Sequence, residues 1–199
     1  AAYYDRNGLS ELIQEACLDV FIPITVGGGI RSVDDIKNAL KSGADKVAIN
    51  TKAVKDPQFI KQASKIFGSQ CIISSIEAKK VGLNEWHAYT DNGRESSGKD
   101  VVEWAKYVEE LGAGEIMLTS IDQEGTKKGF DIDLYHSVAS TVSIPVIASG
   151  GMGVSADAVR LLKKANVDAI AVASVLHYKM ETIEEIKNIL IENLIKVRV

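Results

Sequence analysis

The sequence predicts an α/β fold, a parallel sheet with helices outside it, of the eight-stranded barrel kind but about two strands short. Three observations predict it. The first is a stretch that occurs twice, Pro23-Ile-Thr-Val-Gly-Gly-Gly-Ile30 and, with changes, Pro145-Val-Ile-Ala-Ser-Gly-Gly-Met152. Each copy is a short β-branched run that stops at glycines, then an amphipathic helical pattern (residues 32–42 and 155–165), then a second buried run (residues 45–50 and 168–173) ending at Thr51 or Ser174. That is a duplicated βαβ unit, and self-similarity at so long a spacing points to two related halves rather than a solenoid. The second observation is that about six strands alternate with helices along the whole chain, which means a parallel sheet. The third is length: a closed barrel of eight such units takes roughly 250 residues, and this chain has 199. The two strands it lacks are expected at the front.

The elements follow in order. Residues 1–8 read as a loop running into a helix. Leu12, Ile13, Ala16 and Cys17 fall at helical spacing, so residues 10–19 form the first helix. A strand at 22–26 leads to a helix whose Ser32-x-x-Asp35 resembles a capping box, then to a strand at 46–50. Asp56-Pro57 opens a helix that runs through Phe67 and stops at Gly68, proline being favoured in a first turn and glycine just past a last one. After a strand at 71–76, Val81 and the alternating Trp86-His-Ala-Tyr-Thr90 flank turn residues, and Asp91-Asn92-Gly93 adds a further turn. This predicts a β-hairpin inserted into a βα loop, after the strand that ends near Glu77. A helix at 100–111, a strand at 115–119, a polar loop at 120–130 and a helix at 131–140 follow, and loops that long after a strand are usually functional. Strands at 146–148 and 169–173, the helix between them, and a final helix capped by Thr182-x-x-Glu185 complete the chain.

Composition bounds the function. With 46% hydrophobic and 25% charged residues and no Pro/Gly/Ser-rich linker, residues 1–199 read as a single, partial barrel domain. A net charge of −4 without a Lys/Arg block speaks against nucleic acid or an anionic membrane as partner. Cys17 and Cys71 sit in apolar patterns and are expected as reduced, buried thiols of a cytoplasmic protein. There is no apolar run of about 18 residues and no signal-peptide pattern. His87, His136 and His177 lack metal-ligand spacing, so neither a metal nor any other cofactor is expected.

The two glycine loops carry the first functional signal. Glycine lets backbone approach a ligand, and free N–H groups at a helix start favour an anion, so two such loops suit two phosphates. Tight βα turns alone would also explain the glycines of one copy; the duplication favours phosphate. The second signal is what faces the barrel axis. Alternation that turns Asn50 inward turns Ala48 and Lys46 inward too, and Thr119 takes Met117 and Glu115 with it. Lone inward charges are costly, so Lys46 and Glu115 are expected to pair with each other or with residues beyond this sequence. Strands that begin one residue later would instead put both in solvent. At the C-terminal mouth stand Glu77, Asn50, Thr51, Thr119, Ser120, Asp122 and Glu124. Carboxylates among small polar groups between phosphate loops suit general acid–base work on a bis-phosphorylated substrate.

These residues resemble a known family. Thr25-Val-Gly-Gly-Gly-Ile30, Gly43-Ala-Asp-Lys-Val-Ala-Ile-Asn-Thr51, Phe67-Gly-Ser-Gln70, Gly112-Ala-Gly-Glu-Ile116, Thr119-Ser-Ile-Asp122 with Gly125-Thr126, and Ile147-Ala-Ser-Gly-Gly151 together resemble the cyclase subunit of imidazole-glycerol-phosphate synthase. The resemblance implies a (βα)8 barrel that takes ammonia from a glutaminase subunit at its N-terminal face and builds an imidazole ring at the other. It implies Gly29, Asn50 and Thr51 at one phosphate, and Gly150, Gly151, Ala173 and Ser174 at the other, with Thr119 and Ser120 in the pocket. It makes Lys46 and Glu115 members of a charged gate at the ammonia entrance, and Asp45 a partner-facing residue. Three departures stand out. The family's first strand, with one catalytic aspartate, and its second strand have no counterpart here. Glu124 stands where the family has its other catalytic aspartate, and Glu77 where it usually has an aspartate at the end of the fifth strand. One methylene moves a carboxylate by roughly 1 Å, which can cost on the order of 100-fold in rate.

Three functions fit these residues. The first is an ammonia-dependent cyclase-lyase of histidine biosynthesis, favoured by the two phosphate loops. The second is an ammonia-channelling subunit for amidation of bacterial surface sugars, the role associated with paralogues of this cyclase, favoured by the two glutamates. The third is an inactive phosphate-binding fragment, favoured by the missing strands.

Overall fold

The computed structural model describes residues 7–198. The expectation for the opening loop falls largely outside them. Its strands belong to one sheet, in which β1 (Thr25–Gly27), β2 (Lys46–Ile49), β3 (Ile72–Gly82), β6 (Glu115–Ser120), β7 (Val146–Ser149) and β8 (Ala169–Ala171) lie in that order. β4 (Glu85–Thr90) is added to β3, and β5 (Glu95–Asp100) to β4. The fold is an incomplete (βα)8 barrel. Two compact units divide the chain: Ala1–Ser75 with Tyr107–Ile116, and Ile76–Lys106 with Met117–Val199.

In the first unit, β1 pairs parallel with β2, and β2 with the start of β3, in the registers Thr25↔Lys46 and Val47↔Ile72. Strand alternation sorts the side chains: Val47 and Ile49 are buried against the helices, whereas Lys46 and Ala48 are half-exposed on the other face. The helix layer comprises α1 (Asn7–Asp19), α2 (Val33–Lys41), α3 (Thr51–Lys55) and α4 (Gln58–Phe67). Ile36 of α2 and Ile60 of α4 are fully buried. The expected capping box of α2 is formed: the Ser32 hydroxyl accepts from the Asp35 N–H, and the Asp35 carboxylate accepts from the N–H of Ser32. α3 has no counterpart in the sequence reading, because a single turn is too short to show a period.

In the second unit, β3 does not stop near Glu77 but runs on to Gly82 and turns back as β4. The inserted hairpin is thus a continuation of the sheet strand itself. A third strand, β5, pairs with β4 where the sequence Glu95-Ser-Ser-Gly-Lys-Asp100 shows no apolar alternation. Hydrogen bonds hold it in place of burial, including that from the Ser97 hydroxyl to the Ala88 carbonyl at 2.6 Å. Helices α5 (Val101–Glu110, entering the first unit at Tyr107), α6 (Ile132–Ala139), α7 (Ser155–Lys164), the one-turn α8 (Ser174–His177) and α9 (Ile183–Glu192) follow. The α9 capping box of Thr182 and Glu185 is formed as expected. β7 and β8 pair parallel, Ser149 opposite Ala171. The cysteines are free thiols but half-buried rather than buried, and Cys17 Sγ donates to the Gly43 carbonyl at 3.2 Å.

The duplication extends to details of hydrogen bonding. Asp45, just before β2, accepts from the N–H of Ile24 at 2.7 Å, and Asp168, just before β8, accepts from the N–H of Val146 at 2.9 Å. Each carboxylate pins the start of the neighbouring strand. Asp45 therefore has a folding duty in its own unit, whatever else it faces.

Candidate functional site

In the second unit a cleft of about 260 Å³ opens among the ends of β6, β7 and β8. Its walls are Met117, Glu124, Gly125, Ser149, Gly150, Gly151, Met152, Ala171, Val172, Ala173 and Ser174. Glu124 and the whole second set of expected phosphate residues thus meet around one space. The parallel register explains why: with Ser149 opposite Ala171, the glycines that end β7 lie beside the residues that end β8. Gly150 and Gly151 have φ of +102° and +104°, a region that side-chain-bearing residues rarely enter. The approach is also close, because a Cβ on Gly151 would stand 2.1 Å from the Gly129 carbonyl oxygen. Only glycine lets the loop after β6 lie across the loop after β7.

The N–H groups at the start of α7 are engaged within the chain. The Asp157 carboxylate already accepts from the N–H groups of Gly153 and Val154, and Glu181 accepts from the N–H and hydroxyl of Ser155. In the first unit Asp35 takes the N–H groups of Arg31 and Ser32 in the same way. The donors at the starts of α2 and α7 are thus taken up by their own caps. Two carboxylates at α7 make its first turn unattractive to an anion, and the cleft is lined instead by Gly150, Gly151, Ala173 and Ser174.

Glu124 is held by its own backbone, whose N–H donates to the Ser120 carbonyl at 2.9 Å and turns the chain back directly after β6. Asp122 accepts from the Lys80 N–H at 2.8 Å and so ties this loop to β3. Asp131 caps α6 with one oxygen and accepts from Trp86 Nε1 at 3.0 Å with the other. Glu77 lies outside the cleft walls and accepts from the Gly93 N–H at 2.7 Å, anchoring the hairpin tip. Thr119 is half-buried, whereas Ser120 is fully buried and its hydroxyl has no hydrogen-bond partner. The Ser120 carbonyl, in turn, accepts from the N–H of Glu124 at 2.9 Å.

Tyr135 on α6 went unnoticed in the sequence, where it is one more aromatic in an apolar pattern. It is fully buried, its hydroxyl donates to the Ser149 carbonyl at 2.5 Å, and burial pushes its pKa well above the usual tyrosine range.

The first unit repeats the cradle. Gly27 lies opposite Ala48, which brings the loop of Gly28 and Gly29 beside Asn50 and Thr51 at the start of α3. Asn50 and Ala173, the residues that precede the one-turn helices, share an unusual backbone, with φ, ψ of −116°, −87° and −129°, −61°. At the opposite strand ends, Lys46 Nζ and the Glu115 carboxylate form an ion pair, with side chains 27% and 21% exposed. The expected pairing of these two charges is met. Among the described residues no cluster of three or more His, Cys, Asp or Glu is placed to hold a metal ion, and no helix is long and apolar enough to cross a membrane.

Comparison with known proteins extends this picture. The family described as "Histidine biosynthesis protein" matches residues 1–182. The chain is 61% identical over 153 residues to "Imidazole glycerol phosphate synthase subunit HisF" of Legionella pneumophila, covering 77% of this chain and 72% of that protein. It is 47% identical over 200 residues to the protein of the same name from Lactococcus lactis subsp. cremoris strain MG1363, covering 100% and 77%. It is also 47% identical over 199 residues to that of Hydrogenobaculum sp. strain Y04AAS1, covering 100% and 79%.

Proposed function

The chain belongs to the HisF family, the cyclase subunits of imidazole glycerol phosphate synthase in histidine biosynthesis, and from that premise we propose how its residues divide the work. A substrate with two phosphates places one on the backbone of Gly150, Gly151, Ala173 and Ser174, and the other on Gly29, Asn50 and Thr51. Glu124 acts as general acid–base beside the first of these, and Thr119 adds a polar contact. Glu77 contributes by fixing the hairpin tip, and directly to chemistry only if that tip moves. Ammonia comes from a glutaminase subunit, in a heterodimer, past the Lys46–Glu115 pair and on a face that includes Asp45. The free, half-buried thiols suit a reducing, cytoplasmic setting.

The observation that carries this reading is that Glu124 and four cradle residues surround one cleft. The test is ammonium-supported formation of imidazole glycerol phosphate, beside direct measurement of substrate binding. Glu124→Gln is expected to abolish turnover and leave binding within about threefold, because backbone donors hold the phosphates. Glu124→Asp is expected to keep or raise the rate. A wild type that binds the substrate but never turns it over, with Glu124→Asp equally inert, would transfer the assignment to the ammonia-supplying paralogues of sugar amidation.

A further inference from the structure

Tyr135 has no part in the reaction as described, yet it occupies a particular place. It is fully buried, and its hydroxyl donates to the Ser149 carbonyl at 2.5 Å. Ser120 is the last residue of β6 and Ser149 the last of β7, and these strands are neighbours in the sheet. The hydroxyl therefore holds the end of β7, beside the end of β6. From those ends the chain runs into the two loops of the cleft. β6 leads to Glu124, whose N–H returns to the Ser120 carbonyl at 2.9 Å, and β7 leads to Gly150 and Gly151. The gap between the loops is narrow, because a methyl on Gly150 would lie 2.9 Å from the Ser120 carbonyl oxygen and 3.0 Å from Glu124 Oε2.

We propose that Tyr135 is a positioning residue: its hydroxyl, bonded to the Ser149 carbonyl, holds the glycine loop at its distance from the loop that carries Glu124. The inference rests on the reading of Glu124 as the acid–base group. Burial keeps the phenol protonated far above neutral pH, so it remains a donor under all working conditions. Phenylalanine would fill the same space but leave the Ser149 carbonyl without this partner, and such a group shifts to find another. A glycine loop that moves shifts the substrate against Glu124, and a displacement of about 1 Å costs on the order of 100-fold in rate. The backbone contacts to phosphate, made within each loop, survive.

The experiment compares wild type, Tyr135→Phe, Glu124→Gln and the double variant in full-length chain, by ammonium-supported turnover and substrate Kd. Tyr135→Phe is expected to lower turnover by about 30- to 100-fold with Kd within about threefold. Added to Glu124→Gln, it is expected to slow any residual rate by less than about threefold, because the tyrosine acts through Glu124. Turnover of Tyr135→Phe within about threefold of wild type overturns the proposal, as does a rate loss matched by an equal loss of affinity. A Glu124→Gln variant that turns over normally removes the acid–base reading instead, and it does so with Tyr135 intact.

Discussion

Removing the lysine of the Lys46–Glu115 pair is expected to destabilise the chain by about 2 kcal/mol, and removing both partners by much less. The estimate follows from where the pair sits. Double-mutant cycles give exposed pairs about 0.2–1 kcal/mol, whereas breaking a buried pair costs about 3–5 kcal/mol because one charge is left stranded. With 27% and 21% of the side chains exposed, this pair falls between those limits. Lys46 and Glu115 stand at the starts of β2 and β6, with β3 between them, so each reaches across the intervening strand. Lys46→Met leaves the Glu115 carboxylate half-buried without its cation. Lys46→Met with Glu115→Leu removes both charges and is expected to cost under about 1 kcal/mol. Urea melts of the four proteins give the coupling energy, and a loss of about 2 kcal/mol corresponds to a Tm lower by roughly 4–8 °C at this chain length. If the double variant loses the sum of the two single losses, the pair has no coupling and the argument fails. The same variants test delivery: with a glutaminase partner, Lys46→Met should impair glutamine-supported turnover more than ammonium-supported turnover, and equal impairment would exclude a gate.

Two further perturbations follow from local geometry. Gly150→Ala puts a side chain at φ +102° and against Ser120 and Glu124, so a stability loss of about 2–3 kcal/mol in a urea melt and a loss of ammonium-supported turnover are expected; a variant that melts and turns over like wild type would contradict the close approach. Glu185 accepts from the Thr182 N–H at 2.7 Å and hydroxyl at 3.0 Å, and these bonds hold its carboxyl below the usual glutamate range. A depressed folded-state pKa contributes stability that is present above the ordinary glutamate pKa and is lost as pH falls through the lowered value. Wild type should therefore out-melt Glu185→Gln at neutral pH and lose that advantage in acid, and an advantage that persisted unchanged at low pH would count against the charged cap.

What the sequence revealed depended on how far each signal reaches along the chain. The strands of the two repeats are short apolar, β-branched runs bounded by glycine or aspartate, and such a run with its bounds is identified locally. β5 escaped because Ser96-Ser97-Gly98-Lys99 is held by hydrogen bonds to β4 rather than by apolar burial. α3 and α8 escaped because one turn carries no period. In the site, strand alternation was sufficient to bring Lys46 and Glu115 to one face, and the glycine duplication with the family resemblance sufficed to gather Glu124, Gly150, Gly151, Ala173 and Ser174. The same alternation, carried one residue further, already turned Ser120 away from Thr119. Tyr135 is different in kind. Its hydroxyl meets the backbone carbonyl of Ser149, and a backbone group has the same chemistry whatever its side chain. No residue pattern can mark a side chain whose partners are peptide groups from other elements. Functional spacing of this sort becomes visible only when the strands that end beside each other are known.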